Sequence, residues 1–238
     1  MRPMAFLNTP RPWTGCLDGR VAPTRSRRTR IKICGLTRES DVDAAVGEGA
    51  DALGFVLYAK SPRAVSLQRA TELASRLPPF VMPVLLFVNA SAQEVAQATQ
   101  AIPQALLQFH GDETPAACEA AARPYLRAAR MGPGFDLLNF VRQFHSAQAV
   151  LLDAHVEGYG GGGKAFDWSI VPPDVPAPVV LSGGLSPANV ADGIMRVRPW
   201  AVDVSSGVES AKGIKDAALI HQFCQAVRAA DAAFSSQP

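Results

Sequence analysis

Ile31-Lys32-Ile33-Cys34 alternates apolar and polar side chains, and that alternation decides how the chain folds. On an extended strand residues i and i+2 share a face, so the two isoleucines point one way and Lys32 and Cys34 the other. The same period recurs in Leu106-Leu107-Gln108-Phe109-His110, in Val150-Leu151-Leu152-Asp153 and in Ala201-Val202-Asp203-Val204. In each, the apolar face suits packing under helices, while Gln108, His110, Asp153 and Asp203 point the way Cys34 points. These groups come late in their segments. Polar side chains deep in a packed interior cost stability, but at the C-terminal ends of parallel barrel strands they line the mouth where active sites are built.

Working outward, short β-branched runs predict strands at Ile31–Cys34, Ala52–Leu57, Val84–Val88, Ala105–Phe109, Leu126–Arg130, Ala149–Asp153, Val179–Leu181 and Ala201–Val204. Helical spacing predicts helices at Glu39–Glu48, Leu67–Leu77, Ala92–Gln100, Pro115–Ala122, Phe135–Phe144, Ala188–Val197 and Asp216–Phe234. Strands alternating with helices imply a parallel sheet. An open sheet with a dinucleotide site would want GxGxxG after its first strand, which is absent. The expectation is a single (β/α)8 TIM barrel over residues 30–238, preceded by a disordered Arg/Pro-rich leader over 1–29.

The chain has 238 residues, 48% hydrophobic and 18% charged, an ordinary globular composition and enough for one barrel of about 250 residues. Its net charge of +2 conceals seven arginines and one acid before Ile31. The remainder is slightly acidic and offers no basic face for nucleic acid. No apolar run reaches the roughly 18–20 residues that span a bilayer, so no membrane partner is expected. The four cysteines, Cys16, Cys34, Cys118 and Cys224, form no CxxC pair, and no metal site is expected. They read as free thiols of a reducing compartment, hence a cytoplasmic protein. The leader lacks the apolar core of a secretory signal. Its Arg-rich, acid-poor composition superficially resembles an organellar transit peptide, but a disordered extension or a start assigned too far upstream is the reading adopted.

Leu181-Ser182-Gly183-Gly184-Leu185 follows the seventh strand and Asp203-Val204-Ser205-Ser206-Gly207-Val208-Glu209 the eighth. Loops at these two places form the recurrent phosphate site of such barrels. Gly183 and Gly184 let backbone N–H groups approach an anion, and Ser205, Ser206 and Gly207 add donors from the other side. Cys34, before Gly35 and a helix start marked by Thr37, is a candidate base or nucleophile whose pKa a helix N-terminus would depress. Asp153 across the barrel makes a plausible acid/base partner. Arg63, in Ser61-Pro62-Arg63, suits a two-point contact with a carboxylate. Gly160–Gly163 with Lys164 is either a flexible loop or a lid carrying a cation. His110 reads as a positioned group rather than a metal ligand, having no His or Cys companion.

Lys32-Ile33-Cys34-Gly35, Ser61-Pro62-Arg63, Gln108-Phe109-His110-Gly111-Asp112-Glu113, Leu151-Leu152-Asp153, Gly163-Lys164-Ala165-Phe166-Asp167-Trp168, Ser182-Gly183-Gly184-Leu185 and Asp203 to Glu209 together resemble the ordered signature motifs of the phosphoribosylanthranilate isomerase family. The resemblance runs from about residue 30 to the C-terminus. Phe109 stands where the family usually has Leu, and Gly162 where it usually has Thr. The resemblance implies a cofactor-free Amadori rearrangement of phosphoribosylanthranilate in tryptophan biosynthesis, with Asp153 as acid and Cys34 as base. An acid near 3.9 and a thiol near 8.5 would both have to move for that work. It further implies Arg63 on the anthranilate carboxylate, Asp203 on sugar hydroxyls, Gln108 and His110 among the substrate-binding residues, and a monomer or homodimer acting on a small molecule. Two alternatives stay open: an indole-glycerol-phosphate synthase-like lyase, and a barrel that binds a phosphorylated metabolite without turning it over.

Overall fold

The computed structural model describes residues 28–154 and 166–235. Eight parallel strands close on themselves in chain order. They are β1 (Arg30–Cys34), β2 (Ala52–Val56), β3 (Met82–Phe87), β4 (Leu106–Phe109), β5 (Tyr125–Met131), β6 (Ala149–Ala154), β7 (Val179–Leu181) and β8 (Ala201–Val204). Seven helices among the described residues cover the outside: α1 (Glu39–Gly47), α2 (Leu67–Ala74), α3 (Ala92–Ala101), α4 (Pro115–Ala120), α5 (Leu137–Gln143), α6 (Val190–Val197) and α7 (Ala217–Ser235). Between β6 and β7 those residues hold only a 3-10 turn, Trp168–Ile170. A small antiparallel hairpin not among the expected elements, β9 (Glu209–Ala211) and β10 (Ile214–Lys215), lies between β8 and α7.

Strand alternation sorts side chains as the period of two requires. Ile31, Ile33, Leu107, Phe109, Val202 and Val204 belong to the layer between barrel and helices. Val84, Leu126, Ala128, Ala149, Leu151, Val180 and Ala201 plug the barrel's interior. Cys34 lies with Val56, Leu86 and Val88 in a separate apolar cluster. Phe109 has an aromatic setting, 6.0 Å from the Phe87 ring and 5.6 Å, edge on, from Tyr125. Local chemistry sets helix starts: Ser66 accepts from the Arg69 N–H, and Ser91 with Glu94 forms a reciprocal capping box.

Register then fixes what faces what. Lys32 stands opposite Asp203 across the β1–β8 closure, and Cys34 opposite Gly54 on β2. The Gly160–Gly163 segment with Lys164, the Gly162 substitution, Cys16 and residues 1–27 of the expected leader lie outside the described residues.

Thr29 is buried, and its N–H and hydroxyl donate to Asp231 on α7 at 2.8 and 2.6 Å. Arg28 pairs with Asp51. Both residues therefore belong to the barrel. A chain beginning at Arg30 should be less stable than one beginning at Arg28 by about 1–3 kcal/mol, from two part-buried hydrogen bonds at about 0.5–1.5 kcal/mol each. Thermal unfolding of the two truncations checks this, and equal midpoints would show that the contacts contribute nothing.

Candidate active site

Cys34 ends β1, and Asp153 is the penultimate residue of β6. Because all eight strands run in parallel, both belong to the C-terminal rim. Gly54 makes room for the thiol: a Cβ there would come within 2.6 Å of Cys34 Sγ. A glycine inside a strand often marks such an approach. The helix-terminus effect expected for Cys34 is not what the structure provides. Helix α1 begins only at Glu39, its N-cap is Arg38, and the Thr37 hydroxyl instead donates to the Gly213 carbonyl. Burial pushes the Cys34 thiol up, and the positive charges opposing this are chiefly Lys32 and, more weakly, Lys215.

Asp153 is held from two sides. Its Oδ1 accepts the Ala154 N–H at 2.9 Å, and its Oδ2 lies 3.0 Å from His110 Nε2. Gln108 Nε2 lies 3.0 Å from His110 Nδ1. An amide NH2 can only donate, so Nδ1 accepts and Nε2 carries the hydrogen that meets the carboxylate. Gln108, His110 and Asp153 thus form one buried line, in which Gln108 Oε1 has no partner. Arg127 clamps the backbone on either side of His110, donating to the Phe109 and Gly111 carbonyls at 2.8 and 3.0 Å while lying against the Phe144 ring. The sequence offered no signal for Arg127, which sits on the helix-facing side of β5.

Arg63 is nearly buried and fastened: Nε and Nη2 donate to the two Glu209 oxygens at 2.7 and 2.8 Å. Glu209 Oε1 also accepts from Lys215 at 2.8 Å, and Lys215 reaches the Ser205 carbonyl at 3.0 Å. The Ser205 hydroxyl donates to the Cys34 carbonyl, also at 3.0 Å. Burial acts to raise the Glu209 carboxyl, but hydrogen bonds from Arg63 and Lys215 outweigh it and hold the group below its ordinary range. Glu209 and Lys215 sit on the unanticipated hairpin. Two short runs around Lys212-Gly213 were the available signal, with Gly213 at φ +78°.

The two glycine-containing loops touch. Gly183 and Gly184 take left-handed φ values of +77° and +66°, a conformation that glycine adopts without strain. Gly207 passes so close that a Cβ would fall 1.9 Å from the Leu185 carbonyl oxygen. Asn189 braces the first loop, accepting from Ser186 N–H and donating to the Gly184 carbonyl. Ser206 opens the 3-10 turn Ser206–Val208. A Cβ on Gly183 would meet Ala154 N at 2.4 Å and Asp153 Oδ1 at 3.0 Å, so this loop packs directly against Asp153. Asp203, expected to face sugar hydroxyls, is 5% exposed, with Oδ1 on Lys32 at 2.8 Å and Oδ2 near the Ser182 hydroxyl. Among the described residues no group of three or more His, Cys, Asp or Glu side chains could hold a metal ion.

A closed eight-stranded parallel barrel, with its titratable and glycine-rich groups gathered on the C-terminal rim, defines the class: a (β/α)8-barrel enzyme. The family model described as N-(5'phosphoribosyl)anthranilate (PRA) isomerase matches residues 31–226, and the chain belongs to that family. An N-(5'-phosphoribosyl)anthranilate isomerase of Leptothrix cholodnii is 75% identical over 205 residues, 86% of this chain and 93% of that protein. The phosphoribosyl anthranilate isomerase of Thermotoga maritima superposes with a TM-score of 0.78 at 38% identity, over 84% of this chain and 99% of its own. A phosphoribosyl anthranilate isomerase solved in complex with reduced 1-(o-carboxyphenylamino)-1-deoxyribulose 5-phosphate gives 0.75 at 36% identity, covering 84% and 99%.

Gly54→Ala should displace the Cys34 thiol. Overpacking of this kind costs about 1–3 kcal/mol of stability, and with Cys34 the candidate base a shift of about an ångström should lower kcat by about 10²-fold. Thermal unfolding and steady-state kinetics on the same preparation check both effects.

Proposed function

We propose that this chain converts N-(5-phosphoribosyl)anthranilate to 1-(2-carboxyphenylamino)-1-deoxyribulose 5-phosphate by an acid/base Amadori rearrangement in tryptophan biosynthesis. The carrying observation is the shared rim: Cys34 and Asp153 end strands of one parallel barrel, and the Gly183 loop packs on Asp153. The rearrangement needs two proton transfers and no change of oxidation state overall. Asp153 gives a proton to the ribose ring oxygen, the C1–O bond breaks, and a Schiff base forms. Cys34 as thiolate then takes the proton from C2, leaving an enolamine that tautomerises to the ketone. His110, itself oriented by Gln108, holds the Asp153 carboxyl in place for this step.

Two anchors would set the substrate across the mouth. Backbone donors at Gly183, Gly184, Ser205, Ser206 and Gly207 take the phosphate. Arg63 keeps its Nε edge on Glu209 and offers the remaining Nη1 to the anthranilate carboxylate. Anchors remote from the bond changes lower the entropic part of the barrier. Asp203 serves the sugar hydroxyls only through whatever capacity Lys32 and Ser182 leave it. The lyase alternative wants a lysine free in the mouth, whereas Lys32 is tied to Asp203 below it. The chain acts on this small molecule as a monomer or homodimer in the cytoplasm. No helix among the described residues is long and apolar enough to cross a membrane.

Cys34→Ala and Asp153→Asn should each lower kcat by about 10²–10⁴-fold while the protein stays folded. Loss of the substrate's fluorescence measures turnover, and near-normal rates in either variant remove that residue from its role. Arg63→Ala should act mainly on KM, through lost carboxylate binding. A pure kcat effect in the same assay argues against the anchor.

A further inference from the structure

Lys32 enters none of the steps above, yet it lies directly behind the thiol that does. Residues 32 and 34 of β1 share one face of the strand, both buried, and Lys32 is the positive charge that acts most strongly on the Cys34 sulfur. It is 4% exposed, with Asp203 Oδ1 at 2.8 Å across the β1–β8 ladder. Stability alone does not require such a pair, since buried ion pairs replaced by apolar side chains of similar volume are often neutral or stabilising. The other charged groups bearing on the sulfur are Asp203 from β8, Lys215 from β10 and Arg63 from the loop after β2. Lys215 is committed to Glu209 and Ser205, and Arg63 to Glu209. Lys32 is paired with Asp203 and acts on the sulfur more strongly than Lys215 does.

We propose that Lys32 is a positioning residue for the base: anchored by Asp203, its ammonium turns an N–H to the Cys34 sulfur when the thiol ionises. The inference rests on Cys34 being the base. In the resting state the proton is on sulfur and Lys32 is held by Asp203. On ionisation the proton leaves to solvent, and the ammonium shares its hydrogens between the carboxylate and the thiolate. When the thiolate takes the C2 proton, the S–H bond re-forms and the ammonium returns fully to Asp203. Generating the base thus redistributes hydrogen bonds around one buried cation instead of creating a bare anion in an apolar pocket. Burial pushes the Cys34 thiol up, and Lys32 is the largest influence pulling it back, so removing Lys32 raises it further.

The test is the pH dependence of Cys34 alkylation by iodoacetamide, read at that residue by peptide mass spectrometry on the full chain. In Lys32→Met the midpoint should rise by about one pH unit or more, a tenfold loss of thiolate at fixed pH. Lys32→Arg, which keeps the charge, should restore most of it, and Asp203→Asn should lower the midpoint. In turnover, Lys32→Met should depress kcat, leave KM nearly unchanged and recover as the pH is raised. Should that variant not fold, Lys32→Met with Asp203→Asn, read against Asp203→Asn alone, isolates the effect of Lys32, and its midpoint should lie above that of the single Asp203→Asn variant. An unmoved midpoint in folded protein, or lost turnover that higher pH does not recover, overturns the proposal. Retained turnover in Cys34→Ala would instead overturn Cys34 as base, while the alkylation midpoints would still report whether Lys32 governs the thiol.

Discussion

Everything on the rim depends on the ladder between β1 and β8. Closing the sheet there removes the last unpaired strand edge and sets a register in which Lys32 faces Asp203. A slip of one residue would send Lys32 and Cys34 to the helix-facing side and bring Ile31 and Ile33 inward. The penalty for burying an ammonium beneath helices without its carboxylate makes that alternative costly. The charged pair in the interior therefore helps specify where the first strand starts, and through it where the thiol ends up.

From that register the rim is assembled by neighbours rather than by single residues. Arg63 comes from the loop after β2 but is held by Glu209 of the hairpin after β8, which shares its carboxylate with Lys215. Lys215 in turn holds Ser205. The group suited to a carboxylate and the loop suited to a phosphate are thus tied together through one buried acid. On the opposite side, Arg127 fixes the backbone around His110, His110 meets Asp153, and Asp153 packs on Gly183.

Much of this was legible in the sequence, for identifiable reasons. A period of two places side chains on strands whatever surrounds them, so Cys34, Gln108, His110, Asp153 and Asp203 could be assigned to the interior from alternation alone. Strand positions followed from β-branched runs, with ends moving by one or two residues. What escaped depends on contacts distant in sequence. Thr37 has a capping side chain, but a carbonyl 176 residues away captures its hydroxyl, and Arg38 takes the N-cap place. Thr29 carries no apolar signal, and only Asp231, 202 residues on, places it in the barrel. Glu209 was visible as part of a motif, yet its partner Arg63 is 146 residues away. Gly54 was the nearest miss: a glycine inside a strand signals crowding, but only the register names the sulfur as what crowds it.

Gly183 has a consequence for how such a protein can change. With no space for even a methyl group against Ala154 and Asp153, the turn after β7 and the carboxylate on β6 behave as a single solid piece. A graft that swaps this turn for one of another shape would also re-aim the Asp153 carboxylate. New specificities on this scaffold are therefore easier to reach from the Arg63 end of the mouth, where the holding side chains are long and come from separate segments.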